Sequence, residues 1–242
     1  MSDAKAGAAP AADRGAWLRD RRRVDEQQED ALAGDYDAQW GEIEDTHQGF
    51  VERFLTRLPP AGRVLDAACG TGNYFAMVLA SGRSLLGVDH AGAALAVAAA
   101  KFPQVPTERQ DLQGLPYRGE FDGVLCVDAM EFVPPEDWPV VLERFRRALR
   151  PGGWLYLTVE RAPGDRVRAA NQAARRSGLP VVDGEVIWDE PDGYYHHYPS
   201  MQQVRAWLAD AGFAIEDEAE GPWHEEGYAY HHVLSRVAAP PE

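Results

Sequence analysis

Cysteine is scarce in this chain of 242 residues: there are two, Cys69 and Cys126. They form no C-x-x-C pair, which argues against a disulfide framework or a zinc site and points to a reducing, cytoplasmic setting. Positive charge is also short, with 24 Lys and Arg against 39 Asp and Glu, a formal net charge of −15 and a pI of about 4.9. Most of such a surface repels phosphate backbones, so a nucleic-acid partner is not expected. The one dense basic cluster, Arg19 to Arg23, is interleaved and flanked by Asp20, Asp25 and Glu26, and reads as a solvated helix face with i, i+4 pairs. No run reaches the ~18 apolar residues of a membrane span, and the Ala-rich N-terminus lacks the apolar core of a secretory leader. The apolar stretch Ala91 to Ala100 is short, is closed by Lys101, and reads as a helix of the core.

What is present fits one large domain, with the ordinary hydrophobic share of 45%. Residues 1–14 are Ala, Gly, Pro and Asp and are expected to be a disordered tail, leaving 15–242 as a single domain. Helices are expected over about 15–33 and 49–58, the latter stopped by Pro59-Pro60. Together 15–60 would form a helical lid. Strands and helices then alternate: strands 63–68, 84–88, 105–110, 121–127 and 153–160, with helices 72–81, 91–101 and 136–149 between them. That alternation predicts an α/β fold with a doubly wound parallel sheet. Residues 161–200 break the pattern, and an insertion of that length in a compact domain is usually functional. It carries a helical piece from Asp165 to Ser177 and a hairpin strand over 181–187. Ser200 caps a helix over 201–211, and strands follow at 213–219 and 229–237.

Chemistry first shows itself in Val64-Leu65-Asp66-Ala67-Ala68-Cys69-Gly70-Thr71-Gly72-Asn73-Tyr74, an apolar strand meeting a small-residue turn. Such a turn brings backbone N–H groups close to a ligand. A dinucleotide site would want G-x-G-x-x-G, but Phe75 stands where the third Gly belongs, and the Asp66 carboxylate would repel a pyrophosphate. A ligand carrying an ammonium and a sulfonium would not be repelled. Asp89 ends the next strand, about twenty residues on, where a carboxylate can take ribose hydroxyls.

Asp66-x-Ala68-x-Gly70-x-Gly72 resembles motif I of the class I S-adenosylmethionine-dependent methyltransferases, with Ala68 a mild departure from the family's usual Gly. The resemblance extends to Ser84–Asp89, Arg109-Gln110-Asp111-Leu112, Phe121–Asp128 and Leu149–Leu157, in the family's order and spacing. It implies a Rossmann-like sheet of order 3-2-1-4-5-7-6 whose last strand is antiparallel. It implies S-adenosyl-L-methionine as cofactor and a small-molecule methyl acceptor, of the kind met in natural-product metabolism. It assigns Gly70 and Gly72 to close backbone approach, Thr71 and Asn73 to polar contacts and Asp66 to the amino-acid portion. Asp89 takes the ribose, His90 flanks the adenine, Asp111 and Leu112 hold its edge and face, and Asp128 lies where donor and acceptor meet. Tyr36 would close over the methionine portion, beside Trp40 and His47, or would simply pack its helix.

The acceptor side is expected from the insertion. Trp188 to Pro199 is rich in aromatics and histidine, and aromatic walls suit a planar or cationic acceptor. His196 or His197 is the candidate general base for an aromatic or heteroaromatic O-, N- or C-nucleophile; the bland alternative is a loop folded on the sheet edge. His231 and His232 alternate on one strand, point to opposite faces and read as structural. No metal site is expected, since His196, His197 and His224 lack ligand spacing. Two other readings stay open: an NAD(P)-dependent oxidoreductase and a non-catalytic S-adenosylmethionine-binding protein. The oligomeric state is left open, with a homodimer entertained.

Overall fold

The computed structural model describes residues 13–188, 193–223 and 227–238. Three helices come first, α1 (Arg14–Leu32), α2 (Tyr36–Trp40) and α3 (Asp45–Arg57). The core alternates β1 (Arg63–Ala67), α4 (Phe75–Ala80), β2 (Ser84–Asp89), α5 (Gly92–Lys101), β3 (Thr107–Arg109), β4 (Phe121–Cys126), α6 (Trp138–Ala148) and β5 (Leu149–Arg161). Then come α7 (Gly164–Arg176), the short strands β6 (Glu185–Ile187) and β7 (Tyr195–His197), α8 (Met201–Asp210), β8 (Phe213–Pro222) and β9 (Ala229–Val237).

Seven strands form one sheet in the order β3-β2-β1-β4-β5-β9-β8. Leaving out the separate β6–β7 ribbon, this is the expected 3-2-1-4-5-7-6. Strands β1 to β5 pair in parallel, and β9 runs antiparallel to both β5 and β8.

Period-two alternation splits the strand side chains between two buried layers. Leu65, Leu86, Val124 and Leu155 face α6 and α8, meeting Trp138, Val141, Phe145, Val204 and Leu208. Their neighbours Val64, Leu85, Leu125 and Tyr156 face α3, α4 and α5, meeting Phe50, Phe54, Phe75, Val78 and Leu95. Two strand glycines make room on that second face. A Cβ on Gly87 would lie 2.4 Å from the Phe75 ring, and one on Gly123 would lie 2.5 Å from the Phe54 ring.

Several boundaries differ from the expected ones. Helix α1 begins at Arg14 with Asp13 as its cap, accepting the N–H groups of Gly15 and Ala16; the rest of the expected tail, 1–12, lies outside the described residues. Helix α4 starts at Phe75 instead of residue 72, because Gly70 and Gly72 both adopt positive φ. Strand β5 begins four residues early, and the sheet absorbs this as a register shift between Phe121 and Gly123 where Gly152 turns at φ +76°. Ser200 does cap α8, its hydroxyl accepting the Gln203 N–H.

The N-terminal segment is tied down by named contacts. Arg14 forks onto Glu185 at 2.7 and 2.9 Å, and Glu185 is fully buried. The same carboxylate accepts the Tyr195 hydroxyl at 2.6 Å and the Val182 N–H at 2.7 Å. Further along α1, Arg22 pairs with Asp137, Glu29 with His90, and Asp30 accepts the Ala93 N–H. Arg22 is thus engaged across the fold and is not part of a purely solvated helix face. No helix among the described residues is long and apolar enough to cross a membrane.

Candidate active site

In this open α/β sheet the strand order reverses between β1 and β4, and a crevice forms beyond the carboxyl ends of those strands. The turn after β1 and Asp128 after β4 flank a cavity of about 400 Å³ at this point. Helices α1 and α2 and the α2–α3 connection contribute Asp25, Glu29, Tyr36, Trp40, Glu42 and Glu44 to its walls, and the insertion contributes Tyr194 and His196.

The turn is held by its own backbone. The Cys69 N–H donates to the Val88 carbonyl at 2.9 Å, and the Gly72 N–H to the Cys69 carbonyl at 2.8 Å. Ala68, Gly70 and Gly72 have φ of +64°, +51° and +83°. A Cβ on Gly70 would meet no protein atom within 4 Å, so its bare face opens the turn to the cavity; one on Gly72 would lie 2.9 Å from the Phe75 ring. Asp89 braces this arrangement, accepting the Gly70 N–H and the Ala91 N–H at 2.8 Å each.

Beneath the turn, Asp66 is 2% exposed, and its Oδ2 has no hydrogen-bond partner. Burial first, and the Asp89 charge second, push its pKa up to about 8. The Cys69 thiol is likewise pushed far up by burial, so it is no nucleophile. His90 is held by Glu29 at 2.7 Å; burial lowers its pKa, but this partner outweighs it and raises the value to about 9. Asp111 starts a short helical turn, accepting the Gln113 N–H at 3.2 Å. Asp128 sits at φ +52° and receives the Thr158 hydroxyl, with His47 Nε2 at 3.2 Å. Thr71, 2% exposed, donates its hydroxyl to Asp37 of α2, and Lys101 of α5 grips the other oxygen of Asp37.

Of the residues singled out from sequence, Tyr36, Ala68, Gly70, Thr71, Asn73, Asp89, His90, Asp111, Leu112, Asp128 and His196 line this cavity. Asp66, Gly72 and His197 do not. Asp66 lies below the turn and Gly72 shapes it. His197 is on the other face of β7, 2% exposed, with its ring 6.2 Å from that of Trp207. The alternation that separates His231 from His232 separates this pair as well. Burial lowers both pKa values to about 4, so the His196 imidazole is neutral at neutral pH. It packs against Phe132 and Tyr198, with Nε2 3.5 Å from Glu160. His232 is fully buried against Tyr156 and His47, and His231 pairs with Glu218; neither lines the cavity. Positions 189–192 of the aromatic segment, His224 and Glu225-Glu226 lie outside the described residues. Glu29, Asp89 and His90 form a three-residue group whose atoms are close enough to hold an ion, a grouping that spacing along the chain did not indicate.

Sequence reasoning did not single out Asp25, Tyr74, Glu131, Glu160 or Trp223, all of which line the cavity. For Glu160 a signal existed: it stands near the carboxyl end of the fifth strand, where Asp66 and Asp89 stand on the first two. Asp25 was readable only as part of a charged helix.

A methyltransferase domain family matches residues 64–153, from β1 to the start of β5. A ubiquinone biosynthesis O-methyltransferase of Pseudomonas paraeruginosa is 29% identical over 167 residues, 64% of this chain and 65% of that protein. The chain thus spans slightly less than two thirds of that relative's length. A dTDP-4-amino-2,3,4,6-tetradeoxy-D-glucose N,N-dimethyltransferase of Saccharopolyspora spinosa is 30% identical over 125 residues, 51% of this chain and 47% of that one. In fold, the chain is similar to the Burkholderia thailandensis 1,6-didemethyltoxoflavin-N1-methyltransferase, solved with 1,6-didemethyltoxoflavin and S-adenosylhomocysteine. The TM-score is 0.72 at 19% identity, covering 96% of this chain and 94% of that one.

Proposed function

Since this chain belongs to the class I S-adenosylmethionine-dependent methyltransferases, we propose that it transfers the methyl group of S-adenosyl-L-methionine to a small molecule. The acceptor in this reading carries an aromatic or heteroaromatic ring and an O-, N- or C-nucleophile, as in natural-product tailoring. The observation that carries the reading is the turn between Ala68 and Asn73: open toward the cavity at Gly70, braced by Asp89, and underlain by the unpartnered Asp66 oxygen. Those residues fit a zwitterionic, positively charged donor. Backbone N–H groups and Asn73 suit its carboxylate end, and the Asp66–Asp89 pair supplies negative charge for its ammonium and ribose. Asp111 and Leu112 are placed for the adenine edge and face, with His90 beside them.

A bound sulfonium brings an activated methyl and a thioether leaving group. The protein's part is to align the acceptor, exclude water and take a proton where one must leave. In this reading α2 closes the site, with Tyr36 and Trp40 over it and Asp37 clasped to Thr71 and Lys101. Of the two histidines, His196 is the one that can meet an acceptor, as a neutral imidazole next to Glu160. Asp128 with His47 forms a second polar pair on the same wall.

Calorimetry tests the donor assignment. S-adenosylmethionine and S-adenosylhomocysteine are expected to bind and NAD to give no heat; tight binding of NAD alone would overturn it. Phe75 in place of a third Gly, packed over Gly87, speaks against the NAD(P) oxidoreductase reading. Donor turnover with an acceptor library separates an enzyme from a non-catalytic binder.

A further inference from the structure

The cavity carries more negative charge than the donor alone would use. Among the described residues, nine Asp and Glu side chains line it against two cations, Arg22, already paired with Asp137, and His90, already held by Glu29. Three of the nine come together beyond the ends of β4 and β5. Asp128 follows β4, Glu131 lies in the short helical turn after it, and Glu160 is near the end of β5. Glu131 is 4% exposed, and its Oε2 has no hydrogen-bond partner. Glu160 is 7% exposed, receives the Tyr198 hydroxyl at 3.4 Å and faces His196 Nε2 at 3.5 Å.

A buried carboxylate without a partner is a costly arrangement that packing does not require. A proton limits that cost: burial first, then Glu160 and Asp128, push the Glu131 pKa well up. The charged groups that face Glu131 are Glu160, Asp128 and Glu29 on α1, all acids; Cys126 on β4 also faces it, His196 on β7 is neutral, and His47 on α3 lies against Asp128. The rings of Tyr36, Trp40, Phe132, Tyr194 and Trp223 line the same cavity. Aromatic faces beside buried carboxylates are a recognition set for an organic cation. The donor brings one net positive charge, which offsets one carboxylate and leaves the excess.

We propose that the methyl acceptor is a basic amine, held as its ammonium by Glu131 and Glu160 between aromatic walls. The proposal rests on the methyltransferase reading and narrows its acceptor class. It disfavours acceptors carrying phosphate or carboxylate, which would meet the acids of this wall. The entering ammonium displaces the proton that like-charge repulsion keeps on the cluster, and the cluster takes a proton back when nitrogen reacts. Before transfer the ammonium gives one N–H proton to Glu131, which frees the nitrogen lone pair. That lone pair then forms the new N–C bond while the S–C bond breaks with its electron pair left on sulfur, so the sulfonium becomes a thioether and the nitrogen becomes an N-methylammonium.

Matched compounds differing only in charge test this. Phenethylamine, 2-phenylethanol and phenylacetate form one set, and tryptamine, tryptophol and indole-3-acetate another. Each is titrated calorimetrically into the protein with and without saturating S-adenosylhomocysteine. The amine is expected to bind roughly tenfold or more tightly than its neutral and anionic counterparts. Glu131→Gln should shrink that preference to within about threefold while leaving the affinity for S-adenosylhomocysteine unchanged. Equal binding across a set, preference for the neutral or anionic member, no binding by either amine, or a Glu131→Gln variant that keeps the preference would each overturn the proposal. If S-adenosylhomocysteine fails to bind, the methyltransferase reading falls by itself, and the titrations without it still decide whether the cavity selects amines.

Discussion

Ala68 is the residue whose conformation costs most for its size. Its φ of +64° places a Cβ in the left-handed region, at about 1–2 kcal/mol for an L residue. Ala68→Gly should therefore stabilise the protein by about 1 kcal/mol after the entropy lost by glycine is counted. Urea denaturation measures this, and an unchanged or lower midpoint would contradict it. The sequence pattern marks Ala68 as a mild departure from glycine; only the dihedral shows that the departure is strained. Phe75 teaches the converse. Its presence where a third glycine would stand is visible in the sequence and argues against a dinucleotide. Its accommodation by Gly87, on a different strand, depends on sheet register and is invisible until β1, β2 and α4 are assembled.

At the scale of elements, the sheet was legible and the site's outer wall was not. Apolar runs and turn residues mark the central strands, because each must bury both faces. Helix α1 carries no such pattern: its sequence is mostly polar, and it is held through ion pairs whose partners lie 61, 115 and 171 residues away. The fork from Arg14 to Glu185 joins α1 to the β6–β7 ribbon that presents His196. Arg14→Ala would leave the fully buried Glu185 without its charge partner, and about 3 kcal/mol of stability should go with it. Arg14→Ala with Glu185→Gln should recover part of that loss. Thermal denaturation of both variants provides the check, and equal losses in the two would show that charge pairing is not what the fork provides.

Over the whole molecule, buried titratable groups of both kinds shape stability against pH. Asp25 and Asp66 hold protons more tightly folded than unfolded, their pKa values being raised from 3.8 to about 7 and about 8 by burial first. Their stabilising contribution is complete below the unfolded value and is lost as pH rises through 7 and 8. His196, His197 and His232 do the opposite: burial lowers them to about 4, about 4 and about 3, so their contribution is present above 6.5 and is lost as pH falls through 4 and 3. The melting temperature of the empty protein should therefore peak at mildly acid pH and fall toward roughly pH 8.5. Asp25→Asn should flatten the alkaline fall, and a melting temperature still climbing past pH 8 would contradict the assignment. The overall charge of −15 is plain in the sequence. It does not reveal that nine acids converge on one cavity, since the helices and strand ends that bring them there are joined by contacts far apart in the chain.

The clasp of Asp37 between Thr71 and Lys101 has a kinetic side. Helix α2 is five residues long and presents no fully buried side chain, so little apolar area resists its departure. One carboxylate shared by a hydroxyl and an ammonium then acts as the latch. A molecule seated beneath α2 is therefore expected to leave on the timescale of an ion pair opening, not of a core unpacking. Weakening the latch, as in Lys101→Ala, is expected to shorten residence time more than it lowers the association rate, which stopped-flow kinetics can measure.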